Sequence, residues 1–280
     1  MGEPDLHVSP DDRPIRREAP RRSPVAYALV AVLALAAGGG YYLWRMRAPP
    51  TLPPTPEPTA RTAPAPKAQA EPLIEHPVDP VPTSPPLPTL ADSDPTIGSA
   101  FAAVFGKAQF EQFFVPENLI RHLVATVDNL PRKQAAARLM PVKPVPGPLR
   151  TSGKDAGLTI APDNAARYTP YLRVMDSVDS RKLVAVYTQF YPLFQQSYAE
   201  LGYPSRYFND RVIEVIDHLL ATPDVKEPIV LTQPKVLYEF ADPALQELSA
   251  GQKVLLRMGP DNETRVKAKL REIRKALLRE

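Results

Sequence analysis

The run NDRVIEVIDH at residues 209–218 holds the densest set of chemically capable side chains in the chain. Asp210, Glu214 and Asp217 recur at helical spacing, two residues out of phase with the apolar stripe Phe208, Val212, Val215 and Leu219. They therefore project about 200° around the helix from it. Two carboxylates on one face can serve as general acid and general base, and with His218 they can ligate a metal. A simpler description also fits: Arg211/Glu214 and Glu214/His218 are the i,i+3 and i,i+4 pairs of a solvated face. Recognition of a partner by Asp210 is a third. Only His122 offers a second imidazole within the folded part, so no metal or cofactor is assigned.

Two further groupings suit binding better than catalysis. Ten of the 21 aromatic residues fall between Tyr168 and Phe208. Rings stack on sugars and line peptide grooves, which makes Tyr168, Tyr171, Tyr203 and Tyr207 candidates for gripping glycan or a partner. Tyr187, Tyr191, Phe194 and Tyr198, at spacings of four, three and four, read instead as a core seam. The last helix carries Arg265, Lys267, Lys269, Arg271, Arg274, Lys275 and Arg279 against Glu263, Glu272 and Glu280. Such a helix binds anionic glycan, lipid headgroups or an acidic partner, or is an outer helix whose basic end suits its dipole. The candidates are Glu214 and Asp217 for catalysis, and Tyr203, Tyr207, Asp210, Arg271, Arg274 and Lys275 for a partner.

Composition narrows the field. The chain has 280 residues, no cysteine and a net charge of +3. Disulfides, thiolate metal sites and a cysteine nucleophile are excluded, and the charge is not that of a nucleic-acid-binding protein. The sequence contains no Walker loop, G-x-G-x-x-G, G-x-S-x-G or H-E-x-x-H motif.

The elements that must position these residues begin with an uncharged apolar run at 25–43. At ~1.5 Å per residue it is about 28 Å long as a helix, enough to span a bilayer. Arg13, Arg16, Arg17, Arg21 and Arg22 precede it, only Arg45 and Arg47 lie close on the far side, and Tyr41, Tyr42 and Trp44 sit at that far end. This asymmetry places residues 1–24 in the cytoplasm as a disordered tail, residues 25–44 in the membrane, and the remainder outside. The competing reading is a signal peptide cleaved after Ala36. Ala34/Gly38 and Ala36/Gly40 have a spacing that would also allow two spans to pair as a homodimer.

Residues 45–95 form a linker, with 16 prolines between Ala48 and Pro95. Proline fixes φ and lacks an N–H, so an extended polyproline stalk is expected. That stalk is either a passive spacer or a supply of ligands for a proline-binding groove.

Residues 96–280 read as one mainly α domain. Asp94-Pro95 reads as N-cap and first residue of a helix stopped at Gly106; a second helix opens at Pro116 and closes before Pro131. A proline-marked loop follows to about Ile160. Asp163 caps a helix that Pro170 interrupts, and Asp179 caps a long helix to Leu201 that Pro192 kinks. Residues 229–231 and 236–240 read as a small two-stranded β element. Ser249-x-x-Gln252 is a capping box for a helix stopped at Gly259, and Val266, Leu270, Ile273 and Leu277 stripe the last helix.

Four runs carry a resemblance: TVDNLPRK at 126–133, RLMPVKPVPGP at 138–148, YPLFQQSYAELGYPSRYFNDRVIEVIDHLLATP at 191–223 and QPKVLYEFADPALQELSAGQKVLLRMGPDN at 233–262. Together they resemble the proteobacterial domain-of-unknown-function family 3014, across residues 96–280. The resemblance implies an inner-membrane-anchored envelope protein with a periplasmic C-terminal domain. It supplies no activity and no catalytic residue. The expected role is therefore a binding or scaffold module for peptidoglycan or an envelope protein. The alternative is a cell-wall-modifying hydrolase using Glu214 and Asp217.

Overall fold

The computed structural model describes residues 74–79 and 86–279, which lie within one compact unit. The expected membrane span, the cytoplasmic tail and most of the linker lie outside the described residues. Among the described residues no helix is long and apolar enough to cross a membrane.

The domain is mainly helical. Among the described residues ten α-helices run in the order α1 (Asp94–Phe105), α2 (Lys107–Phe113), α3 (Leu119–Asn129), α4 (Thr169–Ser177), α5 (Ser180–Gln189), α6 (Tyr191–Glu200), α7 (Phe208–Leu220), α8 (Pro243–Gln246), α9 (Ala250–Arg257) and α10 (Pro260–Leu278). Two short antiparallel ribbons interrupt them. β1 (Thr151–Ser152) pairs with β2 (Thr159–Ile160), and β3 (Leu231–Thr232) pairs with β4 (Glu239–Phe240). A Thr159↔Val230 bridge joins the two. The second ribbon is the expected β element. The first lies in the stretch expected to be loop, and at two residues per strand it is too short to show alternation in sequence.

Proline decides several boundaries differently from the expectation. Pro170 and Pro192 each stand in the first turn of a helix, α4 and α6, where the missing N–H costs no intrahelical bond. Pro192 therefore divides the expected long helix into α5 and α6 at Phe190 rather than kinking it. Pro170 opens α4 after a 3₁₀ turn at Pro162–Tyr168. The N-cap of α1 is Ser93. Asp94 caps a different helix: its carboxylate accepts the N–H groups of Asn118 (2.6 Å) and Leu119 (2.9 Å), so α3 starts at Leu119 and not at Pro116.

The main core gathers Phe101, Phe110, Phe113 and Phe114 from the first two helices, Leu119, Ile120 and Val124 from α3, and the aromatic seam of α5–α7. As expected, Tyr191, Phe194 and Tyr198 are buried. Phe208 stacks parallel to Phe194 at 6.0 Å, and Phe190 at the helix break is 1% exposed. A lesser cluster of Ile160, Ile229, Leu231, Phe240 and Leu256 sits under the ribbons. The closing helix α10 packs on α4, α5, α7 and α9. The predicted capping box is present at α9, where Ser249 and Gln252 bond reciprocally. The next two amides, of Ala250 and Gly251, donate to the carbonyls of Arg132 and Leu130 just past α3. Two orphan donors of one helix thus meet free acceptors beyond the end of another.

Candidate functional site

The start of α7 is built by α6. Tyr207 precedes the helix without capping it through its side chain, so the first amides need other acceptors. Gln195 Oε1 accepts the Phe208 N–H at 2.8 Å, and the Tyr191 hydroxyl accepts the Asn209 N–H at 3.3 Å. Tyr187 donates its hydroxyl to Asn209 Oδ1 at 3.1 Å, which orients the Asn209 amide although that residue is 1% exposed. Burial raises the Tyr187 hydroxyl well above the ordinary tyrosine range, with the neighbouring Tyr191, Tyr207 and Asp210 adding to the shift. The seam phenol stays protonated and remains a donor.

Asn209, Asp210 and Tyr207 converge on the chain's own linker. Asp210 Oδ1 accepts the His76 N–H at 2.7 Å, and Oδ2 accepts the Glu75 N–H at 3.2 Å. Asn209 Nδ2 donates to the His76 carbonyl at 2.9 Å, and the Tyr207 hydroxyl accepts the Val78 N–H at 2.8 Å. The His76 ring lies 3.2 Å from Asp210 through Nδ1. Val78 packs on the edge of the main core, and Asp79 pairs with Arg279 at 2.6 Å. The residues are thus held as a strap that bends at Glu75 and His76 and whose main-chain groups are read by side chains. A carboxylate on the first turn of a helix is also favoured by the dipole.

The other anticipated residues are placed elsewhere. Tyr203 contacts the buried Asp128 (3.3 Å) and Arg132 (3.1 Å), and its ring stacks on Tyr198 at 4.7 Å. Asp128, 2% exposed, is paired with both Arg132 and Arg211. Arg211 in turn holds Glu214 at 2.7 Å, while Arg274 grips Asp217 with two nitrogens at 2.7 and 3.2 Å. Each carboxylate of the proposed acid–base pair thus has its own arginine and stands at the surface. His218 Nε2 lies 2.9 Å from Ser249 Oγ, serving the α9 cap, and His122 Nδ1 is buried without a partner. Among the described residues there is no cluster of three His, Asp or Glu side chains fit to hold a metal.

Arg271 is exposed and close enough to Asp224 to contribute to lowering its pKa, whereas Lys275 joins Arg181 and Arg279 around a shallow depression of about 380 Å³. Arg279 is the member that touches the strap. A separate cavity of about 230 Å³, lined by Phe105, Leu123, Tyr187, Phe208, Ile273 and Leu277 among others, has no charged side chain in its wall. Sequence reasoning named Tyr207 and Asp210 as partner candidates and placed Arg279 in a basic helix suited to binding, but gave Asn209 no role and missed the strap. The signal that could have found Asn209 is a polar residue on the buried side of an amphipathic helix.

The profile of a family described as protein of unknown function (DUF3014) matches residues 119–274. No curated protein and no solved structure matches the chain. The chain belongs to the DUF3014 family.

Proposed function

We propose that this DUF3014 protein is a membrane-tethered binding module of the bacterial envelope. Its N-terminus is cytoplasmic, its span lies at residues 25–43, and its helical domain is periplasmic. Its role is to hold an envelope protein. The observation that supports this reading is the Tyr207–Asn209–Asp210 edge, which engages a peptide segment through main-chain hydrogen bonds, as peptide-recognition sites do. The arginine flanks and the proline-rich linker support the tether. The hydrolase alternative draws no comparable support, since Glu214 and Asp217 are each neutralised by an arginine.

The test is photo-crosslinking in cells from Arg206, an exposed residue beside the edge, using the full chain. A discrete protein adduct that is lost with Asp210→Ala is the expected result. Adduct formation that ignores Asp210, or no adduct combined with co-sedimentation of the protein with peptidoglycan sacculi, overturns the protein-partner reading. Release of soluble fragments from those sacculi would revive the hydrolase.

A further inference from the structure

The strap is held by its main chain, and this tells what else the edge would accept. The contacts read two consecutive N–H groups at Glu75 and His76, the carbonyl of His76, then the N–H of Val78. The skipped position is Pro77, which has no N–H to leave unpaired. Val78 fills an apolar step on the core, and Asp79 meets Arg279 at the rim of the depression shared with Arg181 and Lys275. The surface therefore selects a bent backbone that offers two adjacent donors, a proline flanked by donors, a small apolar side chain and an acidic flank.

Resting on the binding-module reading, we propose that this edge is a docking site for an acidic, proline-containing segment of a partner protein. Residues 74–79 are its internal occupant, and the partner displaces them. Three side chains add to the main-chain contacts, the His76 ring against Asp210, Val78 on the core and Asp79 against Arg279, while Ile74 is 53% exposed. A foreign segment with the same main-chain pattern, an apolar residue at the Val78 place and an acidic one at the Asp79 place replaces the strap. Asn209, buried beneath the strap, donates to a peptide carbonyl and would hold such a segment in the same way. Intramolecular attachment gives the strap an effective concentration of roughly millimolar order, so it masks the edge from weak ligands and yields to a strong one.

The experiment uses the full chain in nanodiscs and a fluorescent decapeptide copied from residues 71–80, EPLIEHPVDP, read by anisotropy. Glu75→Pro with Val78→Pro deletes two strap N–H donors and changes no residue of the helical domain. This released protein is expected to bind the peptide at least tenfold more tightly than the unaltered chain. Adding Asp210→Ala is expected to remove that gain with the helical circular dichroism unchanged. Tyr207→Phe, which keeps the ring and deletes one acceptor, provides a milder loss should Asp210→Ala unfold. Equal binding by released and unaltered protein overturns the proposal, as does undiminished binding after both edge substitutions, or equal binding of a scrambled peptide without proline. Peptide failure with an Asp210-dependent adduct from Arg206 sinks this inference alone. Peptide binding without any adduct sinks the partner reading and keeps the site.

Discussion

Replacing Lys267 separates a buried charge pair from an exposed one on the same ammonium. Lys267 is 6% exposed; its Nζ lies 2.7 Å from Glu263 Oε1 and 2.9 Å from Asp224 Oδ1, and donates to the Thr222 carbonyl at 2.7 Å. The Glu263 contact is oblique, an ion pair more than a well-aimed hydrogen bond. Burial pulls the Lys267 ammonium down, but the bonds from Glu263 and Asp224 outweigh it and its pKa stands raised. Lys267→Met leaves a carboxylate that is 5% exposed without its cation. Removing one partner of a buried pair costs about 3–5 kcal/mol. For a domain of this size ~1 kcal/mol corresponds to roughly 2–4 °C, so a fall of about 6–20 °C is expected by calorimetry at pH ~7. Lys267→Met with Glu263→Leu should recover nearly all of it, because an apolar pair of similar volume is often neutral. Asp224→Ala, removing a side chain that is 97% exposed, should leave the melting temperature nearly unchanged. A single Lys267→Met variant that melts within ~2 °C of the parent, or a double variant as unstable as the single, would refute the assignment.

Three more outcomes follow from the packing and charges. A Cβ on Gly251 would stand 2.6 Å from Leu219 Cδ2 and 3.1 Å from the Leu130 carbonyl oxygen; Gly251→Ala should therefore lose about 1–2 kcal/mol in urea titrations despite alanine's better helix propensity. Ser249→Ala removes the α9 cap and the contact with His218, and should cost about 1–2 kcal/mol in the same assay. Asp224, Glu200, Glu247 and Glu272 are held below the usual carboxylate range by bonds from Lys267, Arg121, Lys133 and Lys269. The folded chain then binds fewer protons than the unfolded one, so this stability is full above the ordinary carboxylate pKa of ~4 and is lost as pH falls through the lower folded values. Melting temperatures should be flat from pH ~7 to ~5 and drop below ~4; constancy down to pH ~3 contradicts the pairing.

Much of the helical scaffold could be read from residue order, because apolar spacing and caps act locally. The α9 capping box, the stop at Gly259 and the seam Tyr191–Phe194–Tyr198 all hold. The break between α5 and α6 escaped because Tyr187 of α5 and Tyr191 of α6 meet across it, their rings 5.6 Å apart, so the spacing continues across Phe190. Charges were harder. Asp128, Glu263 and Lys267 belong to polar residue types, yet they are buried because partners distant in sequence or a turn away compensate them. Tyr203 looked like a free loop ring for the same reason, its hydroxyl partner being Asp128, 75 residues earlier. The strap was the least legible part. A proline-rich segment carries no periodicity, and only three-dimensional contact shows that four of its residues, Glu75, His76, Val78 and Asp79, meet the start of α7 and Arg279.

The junction of α9 with α3 ties the order of synthesis to the order of folding. The carbonyls of Leu130 and Arg132 wait for amides made about 120 residues later, and α10, which covers α4, α5 and α7, comes last. Closing so long a loop is slow, and nothing rewards it until both ends exist. Until α10 is made, Val215, Leu219 and Leu255 lack the cover that Val266 and Leu270 give them, an apolar surface of the kind that makes incomplete chains prone to aggregate. The last described helix thus completes a second, smaller core that the rest of the domain leaves open.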